Sequence, residues 1–282
     1  MKKNRIEKSG KAGVWKKVFA LVALAALAVG AWRFGVALRK AFLAQCVITD
    51  MPAQVSIATG QTTKEGVVLE LFGIRKGVNL AEIDFAEKRE KILAKYPAIR
   101  SATVRRHLPD KIEIHIEERV PVAKMNEVAD RRAGKMKSTG RVVDLDGVVF
   151  MKSAGTEALP TICERAGSAT KPGARLSGRA KAALELLSLS RQSPYSDLGI
   201  MRIDAAGPDY LLAILGDYSP AKIAWEGMDD QPSPASRKAM EKRLSHLRKS
   251  VLSGVAPAGT RPVVWNATEP DRVFADTKEP IL

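Results

Sequence analysis

The chain has 282 residues, 45% of them hydrophobic and 27% charged, a balance that excludes a largely disordered protein and leaves room for one or two packed domains. Its formal net charge is +15, which by itself would suggest binding to nucleic acid or to an anionic membrane. The charge is uneven, because +6 of it lies in residues 1–17.

An uncharged apolar segment follows this basic tail. The run "VFALVALAALAVGAW" covers residues 18–32, and after Arg33 the apolar residues continue to Leu38. Because a long side chain near the end of a span can reach the lipid headgroups, Arg33 is compatible with burial, and residues 18–38 supply about 20 usable positions. We therefore predict one transmembrane helix over residues 18–38.

A cleavable signal peptide is the alternative, since Ala26-Leu27-Ala28 fits a cleavage site. The apolar run continues past that site, however, which favours an uncleaved anchor. Seven Lys and Arg residues before the span, against three soon after it, predict a cytoplasmic tail over residues 1–17 and export of the rest. Nucleic acid is then a poor partner. We expect the two cysteines, Cys46 and Cys163, to be buried or free thiols, because their spacing does not indicate a disulfide.

The first exported segment has the pattern of a small α+β domain. We predict a strand over 53–59, a helix starting near Thr62, a second helix over 84–95, and strands over 99–107 and 111–119. In the last strand, isoleucines at 112, 114 and 116 alternate with polar residues, as in a half-buried strand. The predicted order is therefore β-α-α-β-β.

The stretch "RVVDLDGVVF", residues 141–150, permits two interpretations. Asp144 and Asp146 resemble the nucleophile loop of a haloacid-dehalogenase-like phosphatase. Alternatively, two strands flank a tight turn at Asp146-Gly147. We favour the hairpin, because β-branched and aromatic residues follow where a helix should cover a phosphate. Asp146 and Gly147 should then adopt positive φ, and Asp144→Asn should change almost nothing.

The remaining pattern is mostly strands with two inserted helices. One helix is opened by Ser177, strands follow over 200–206, 210–216 and 222–227, and a basic helix covers 234–252 before final strands within 261–275. The basic helix has an apolar face formed by Met240, Leu244, Leu247 and Val251. We interpret its basic residues as the solvated face of a packed helix, with lipid headgroups or an acidic partner as alternatives.

No residues are predicted to be catalytic, to bind a cofactor or to bind a metal, and no small-molecule substrate is indicated. The histidines at 107, 115 and 246 lack metal-ligand spacing. No Ser-His-Asp or Cys-His arrangement can be singled out.

The runs "GVNLAEID" and "YPAIRSATVRRHLPDKIEIHIEERVPVA" resemble the polypeptide-transport-associated (POTRA) domain of the FtsQ/DivIB family of bacterial cell-division proteins. The matching elements are Gly77-Val78-Asn79-Leu80, Pro97, Ile99, Ala102-x-Val104-x-Arg106, Leu108-Pro109 and Glu118-Arg119-x-Pro121-Val122-Ala123. The resemblance implies an α+β protein with a POTRA domain over 47–119, a mostly antiparallel β domain over 120–275 and a short tail over 276–282. Arg119 and Pro121 would mark the domain junction, with Arg119 either solvated or paired across it.

The resemblance also implies a function. Family members are non-enzymatic scaffolds of the division septum in the inner membrane, where they bind FtsB and FtsL and help to bring the peptidoglycan synthase FtsW–FtsI into the assembly. An envelope assembly or secretion factor with a POTRA module is a further alternative.

Partner binding would use strand addition at the last sheet edge. The expected edge residues are Val263, Val264 and Trp265, or Arg272, Val273 and Phe274. Trp265 is either a binding anchor or a core residue. On this basis Val264→Pro should abolish partner binding.

Overall fold

A computed structural model describes residues 10–130, 135–167, 169–229, 231–253 and 264–276. The chain separates into two compact units. The first comprises residues 1–59, 63–89 and 103–115, and the second comprises 60–62, 90–102 and 116–282. Val263 lies outside the described residues.

The first helix, α1 (Gly10–Gln45), is long and apolar enough to cross a membrane. Its apolar part covers Trp15–Gln45; an 18-residue window within it has a mean hydropathy of 2.0, and none of that window is buried in the protein. One apolar helix near the N-terminus suggests a single-pass membrane protein. The helix continues past the predicted end at Leu38 and stops where Asn79 Nδ2 donates to the Leu43 carbonyl, at 3.0 Å.

The predicted β-α-α-β-β order is confirmed, with one added helical turn. The elements are α2 (Met51–Gln54), β1 (Val55–Ala58), α3 (Glu65–Phe72), α4 (Phe85–Lys95), β2 (Ile99–His107) and β3 (Lys111–Glu118). β3 lies between β1 and β2, and β1 runs parallel to it. β1 begins at Val55, two residues after the predicted start at 53. The preceding residues form a helical turn, in which Gln54 Oε1 accepts from the Thr49 and Asp50 N–H groups.

The alternating isoleucines of β3 form the buried face of this sheet. Ile112, Ile114 and Ile116 are each at most 3% exposed, as their period-two spacing predicts. In the first unit, the rings of Phe72 and Phe85 join the two helices at a centroid distance of 6.1 Å.

The second unit contains a nine-stranded mixed sheet. Its strands are β4 (Ala123–Asp130), β5 (Lys135–Val143), β6 (Val149–Met151), β7 (Thr161–Arg165), β8 (Arg202–Asp204), β9 (Leu211–Ile214), β10 (Pro220–Ile223), β11 (Val264–Ala267) and β12 (Phe274–Asp276). The spatial order is β12-β11-β10-β9-β8-β7-β4-β5-β6. Most neighbours are antiparallel, as expected, but β4–β7, β7–β8 and β10–β11 are parallel.

Two helices, α5 (Gly178–Ser190) and α6 (Pro234–Leu252), contribute to the core formed with this sheet. In α6, Met240, Leu244 and Leu247 are fully buried. Several basic residues on its outer surface are paired with acids; Arg248 Nη2 lies 2.7 Å from Asp197 Oδ2 and lowers the pKa of that carboxyl. The predicted packed apolar face of α6 is therefore confirmed, and the solvated role of its basic face stays a prediction.

Both cysteines are free and buried, as predicted. Burial raises the pKa of the Cys163 thiol to about 12, and the nearby Asp204 carboxylate acts in the same direction. Cys163 is therefore an uncharged core side chain rather than a reactive thiolate.

Residues 141–150 form the predicted hairpin, with β5 antiparallel to β6 and Val142 opposite Phe150. The turn differs from the prediction. Gly147 N donates to the Asp144 carbonyl at 3.1 Å, so the turn is centred on Leu145 and Asp146. Gly147 has a φ of +79°, but Asp146 does not have a positive φ. This is the three-residue hairpin loop in which a left-handed glycine follows the turn.

Gly147→Val is expected to lower the free energy of unfolding by about 2 kcal/mol, because an L-residue is strained in the left-handed region. The Cβ itself has room, since it would lie 3.7 Å from Leu184 Cδ2, an ordinary contact. Urea unfolding measures the change. Gly167→Val, at another positive-φ glycine with open space around it, is the matched control for backbone strain alone. A Gly147→Val protein as stable as the parent would contradict this account of the turn.

Candidate partner interface

The end of the large sheet nearest the C-terminus consists of β10, β11 and β12. β11 runs parallel to β10. β12 is the last strand at this end of the sheet and pairs antiparallel with β11, with Trp265 opposite Ala275. Within the described parts of the chain, β12 is therefore the edge strand, and β11 is an interior strand with a neighbour on each side.

This arrangement separates the two predicted sets of edge residues. Val264 and Trp265 lie in β11 and are only 1% and 6% exposed, so neither is on the edge, and Trp265 belongs to the main core. Phe274, in β12, is 42% exposed. Val273 packs partly buried against the core. Of the two predicted segments, only the one around Phe274 presents an aromatic side chain at the edge.

The Arg272 side chain lies over the Phe274 ring. The Arg272 guanidinium carbon lies 4.9 Å from the ring centroid, and Arg272 Nε lies 2.6 Å from Glu269 Oε2. A cation over an aromatic face is favourable. The result is an exposed aromatic ring with a cation over one face.

Ion pairs also flank the edge. Lys222 Nζ, in β10, lies 3.4 Å from Asp276 Oδ2, at the end of β12. Lys242 of α6 pairs with Asp271, and its ammonium lowers the pKa of that carboxyl. These ion pairs link the two ends of the segment 271–276 to α6 and to β10. A short edge strand beside an exposed aromatic can accept an extended peptide as an added strand.

The second predicted site, at Arg119, is an ion-pair network in the second unit. Arg119 Nη1 lies 2.7 Å from Asp144 Oδ2, and Arg119 Nε donates to the Pro97 carbonyl at 3.0 Å. The other Asp144 oxygen accepts from Val148 N at 2.8 Å. Arg119 is therefore specifically paired rather than solvated. Pro121 lies half-buried in the short connection from β3 to β4, and its role as a domain junction stays a prediction.

The network corrects the expectation that Asp144 has no role. Asp144 is only 4% exposed, and each of its oxygens has a structural partner. Asp146 is 42% exposed; its Oδ2 lies 3.7 Å from Arg119 Nη1 and 3.3 Å from Nη2 of the exposed Arg100. A phosphatase nucleophile would follow a parallel strand and face an open site, whereas Asp144 closes an antiparallel hairpin. The geometry contradicts the phosphatase interpretation of this motif.

Sequence reasoning missed the partner of Asp144 because 25 residues separate it from Arg119. A local signal existed, since aspartate before a turn commonly accepts from a nearby backbone N–H. Among the described residues, the His, Cys, Asp and Glu side chains form no cluster of three or more with the arrangement of a metal site.

Residues 52–119 match the family described as "POTRA domain, FtsQ-type". The matched residues lie inside the segment 47–119 that the sequence motifs predict. No curated protein matches the chain.

Proposed function

We infer, from the FtsQ-type POTRA domain and the apolar N-terminal helix, that this FtsQ/DivIB-like protein is a single-pass scaffold of the bacterial division septum. The POTRA domain supports a cell-division scaffold family, and proteins of this family are generally non-enzymatic. Residues 1–17 would be cytoplasmic, and the domains after α1 would lie on the far side of the inner membrane.

The scaffold would bind FtsB and FtsL at β12 and thereby help to bring FtsW–FtsI into the septal assembly. The observation that supports this site is the exposed Phe274 on the edge strand, with Arg272 over its ring. A partner strand would pair with the β12 backbone while a pocket on the partner covers the Phe274 ring. The neighbouring ion pairs would set the partner's register rather than supply most of the affinity.

Phe274→Ala is expected to weaken binding of the full-length protein to the FtsB–FtsL complex about thirtyfold, the usual cost of losing an aromatic hot spot. Binding is measured by titration in detergent. Leu145→Ala is the matched control, because Leu145 is also a large exposed apolar residue, 62% exposed, in the β5–β6 loop at the opposite end of the sheet. Equal affinities for the two variants would refute β12 as the binding edge.

Val264→Pro cannot test whether β12 is the binding edge. Val264 is buried in an interior strand, and a proline there would damage the sheet itself. Imaging of a fluorescent fusion separates the division role from an envelope assembly role. A mid-cell band supports division, whereas an even peripheral signal supports assembly or secretion.

A further inference from the structure

The opposite end of the nine-stranded sheet has a second edge that β6 covers only in part. β5 pairs with β4 from Lys135 to Val143, but β6 pairs only with Arg141–Val143. Along residues 135–139, the described part of the chain contributes no strand and no backbone hydrogen bond on the outer side of β5. Unpaired backbone groups on such an edge are a template for an added strand.

A bulge fixes where this open edge stops. Thr139 and Gly140 are extra residues opposite the step from Met125 to Asn126, and Gly140 has a φ of +66°. The Thr139 hydroxyl donates to the Met125 carbonyl, and Lys152 N donates to the Gly140 carbonyl at 2.9 Å. These bonds hold the chain after β6 against Gly140, so the open edge is residues 135–138.

Buried contacts on one side of β5 hold this edge in place. Met136 packs against the small cluster of Val128, Cys163 and Ala206, with its sulfur 3.3 Å from Cys163 Sγ. Since side chains alternate along a strand, Lys135 and Lys137 point to the other face. The edge is therefore anchored by an apolar side chain and presents two cations.

Both lysines are exposed, and neither forms an ion pair with a described residue, although Asp130 lies opposite Lys135 in β4. Glu127, which lies opposite Lys137 in β4, is already paired with Arg141, at 3.0 Å from Oε1 to Nη2. Pairing of β5 with a second copy of itself would bring lysines together, and like charges across strands are destabilising. A strand that carries carboxylates at alternate positions would instead complement this edge.

We propose that residues 135–138 form a second strand-addition site, which takes an extended acidic segment of a partner protein. The site goes beyond the proposed function, because it lies at the other end of the sheet from β12 and does not use Phe274. The added strand supplies backbone hydrogen bonds to β5, and its carboxylates pair with Lys135 and Lys137.

The test uses the full-length protein in detergent with two blocked peptides, the acidic TEVEVET and the basic TKVKVKT. The acidic peptide is expected to slow amide hydrogen exchange within residues 135–138 about tenfold, and the basic peptide is expected to leave it unchanged. The double variant Lys135→Glu, Lys137→Glu should lose the response to the acidic peptide and gain one to the basic peptide.

The matched control is Lys238→Glu with Lys249→Glu, which reverses two exposed lysines of α6 and should respond like the parent. Phe274→Ala should also respond like the parent. A negative result at the β5 edge is therefore distinguishable from a loss of partner binding at β12. No slowing at saturating acidic peptide, or equal slowing by both peptides, overturns the proposal. Slowing that depends on protein concentration without peptide assigns the edge to a second copy of the chain and also overturns it.

Discussion

Asp144→Asn is expected to lower the free energy of unfolding of the second unit by about 3 kcal/mol. This is the typical cost of removing one partner of a buried ion pair. The change removes the negative charge 2.7 Å from Arg119 Nη1. The Arg119 side chain is only 15% exposed, so its cation would remain largely desolvated. The remaining counter-charge would be the more distant and 42% exposed Asp146 carboxylate, at 3.7 Å from Nη1. Because Asn keeps the size of the side chain, the loss would come from charge and hydrogen bonding rather than from a cavity.

Tryptophan fluorescence during urea unfolding measures this effect in the full-length protein. Replacing Trp15 and Trp32 with Phe leaves Trp225 and Trp265 as reporters, and both lie in the second unit. Asp146→Asn is the matched control, because that carboxylate is 42% exposed and surface ion pairs contribute at most about 1 kcal/mol. If both substitutions changed stability equally, the Asp144 pair would not stabilise the hairpin as proposed.

Trp265→Ala is expected to lower the free energy of unfolding by about 3–5 kcal/mol, because it deletes a large side chain from the main core. The same urea experiment measures it, with Trp225 as the remaining reporter. Any loss of partner binding would then follow the loss of folded protein. This outcome would establish Trp265 as a core residue rather than a binding anchor.

Phe274→Ala is the matched control for Trp265→Ala, since it removes an aromatic side chain that is 42% exposed from the adjacent strand. It should change stability by less than about 1 kcal/mol while weakening partner binding. A Trp265→Ala protein that is as stable as the Phe274→Ala protein would contradict the core position of Trp265.

Local patterns predicted much of the fold. Helix α6 covers the predicted residues 234–252, because Ser233 caps it and accepts from Ser236 N while Pro234 suits the first turn. The Ile112-x-Ile114-x-Ile116 alternation predicted the buried face of β3. Strand β7 was missed, because "TICER" is too short and mixed for periodicity to show, although both its neighbours pair with it in parallel.

By itself, the sequence determined the apolar helix, the POTRA elements, the 141–150 hairpin and the packed face of α6, because propensity, alternation and capping act between residues close in the chain. Only the tertiary structure decided that β12 rather than β11 is the edge, that Asp144 pairs with Arg119, and that β5 extends past β6. Each of these depends on which distant segment supplies a hydrogen bond or a counter-charge. Such pairings depend on long-range packing, which leaves little trace in local periodicity.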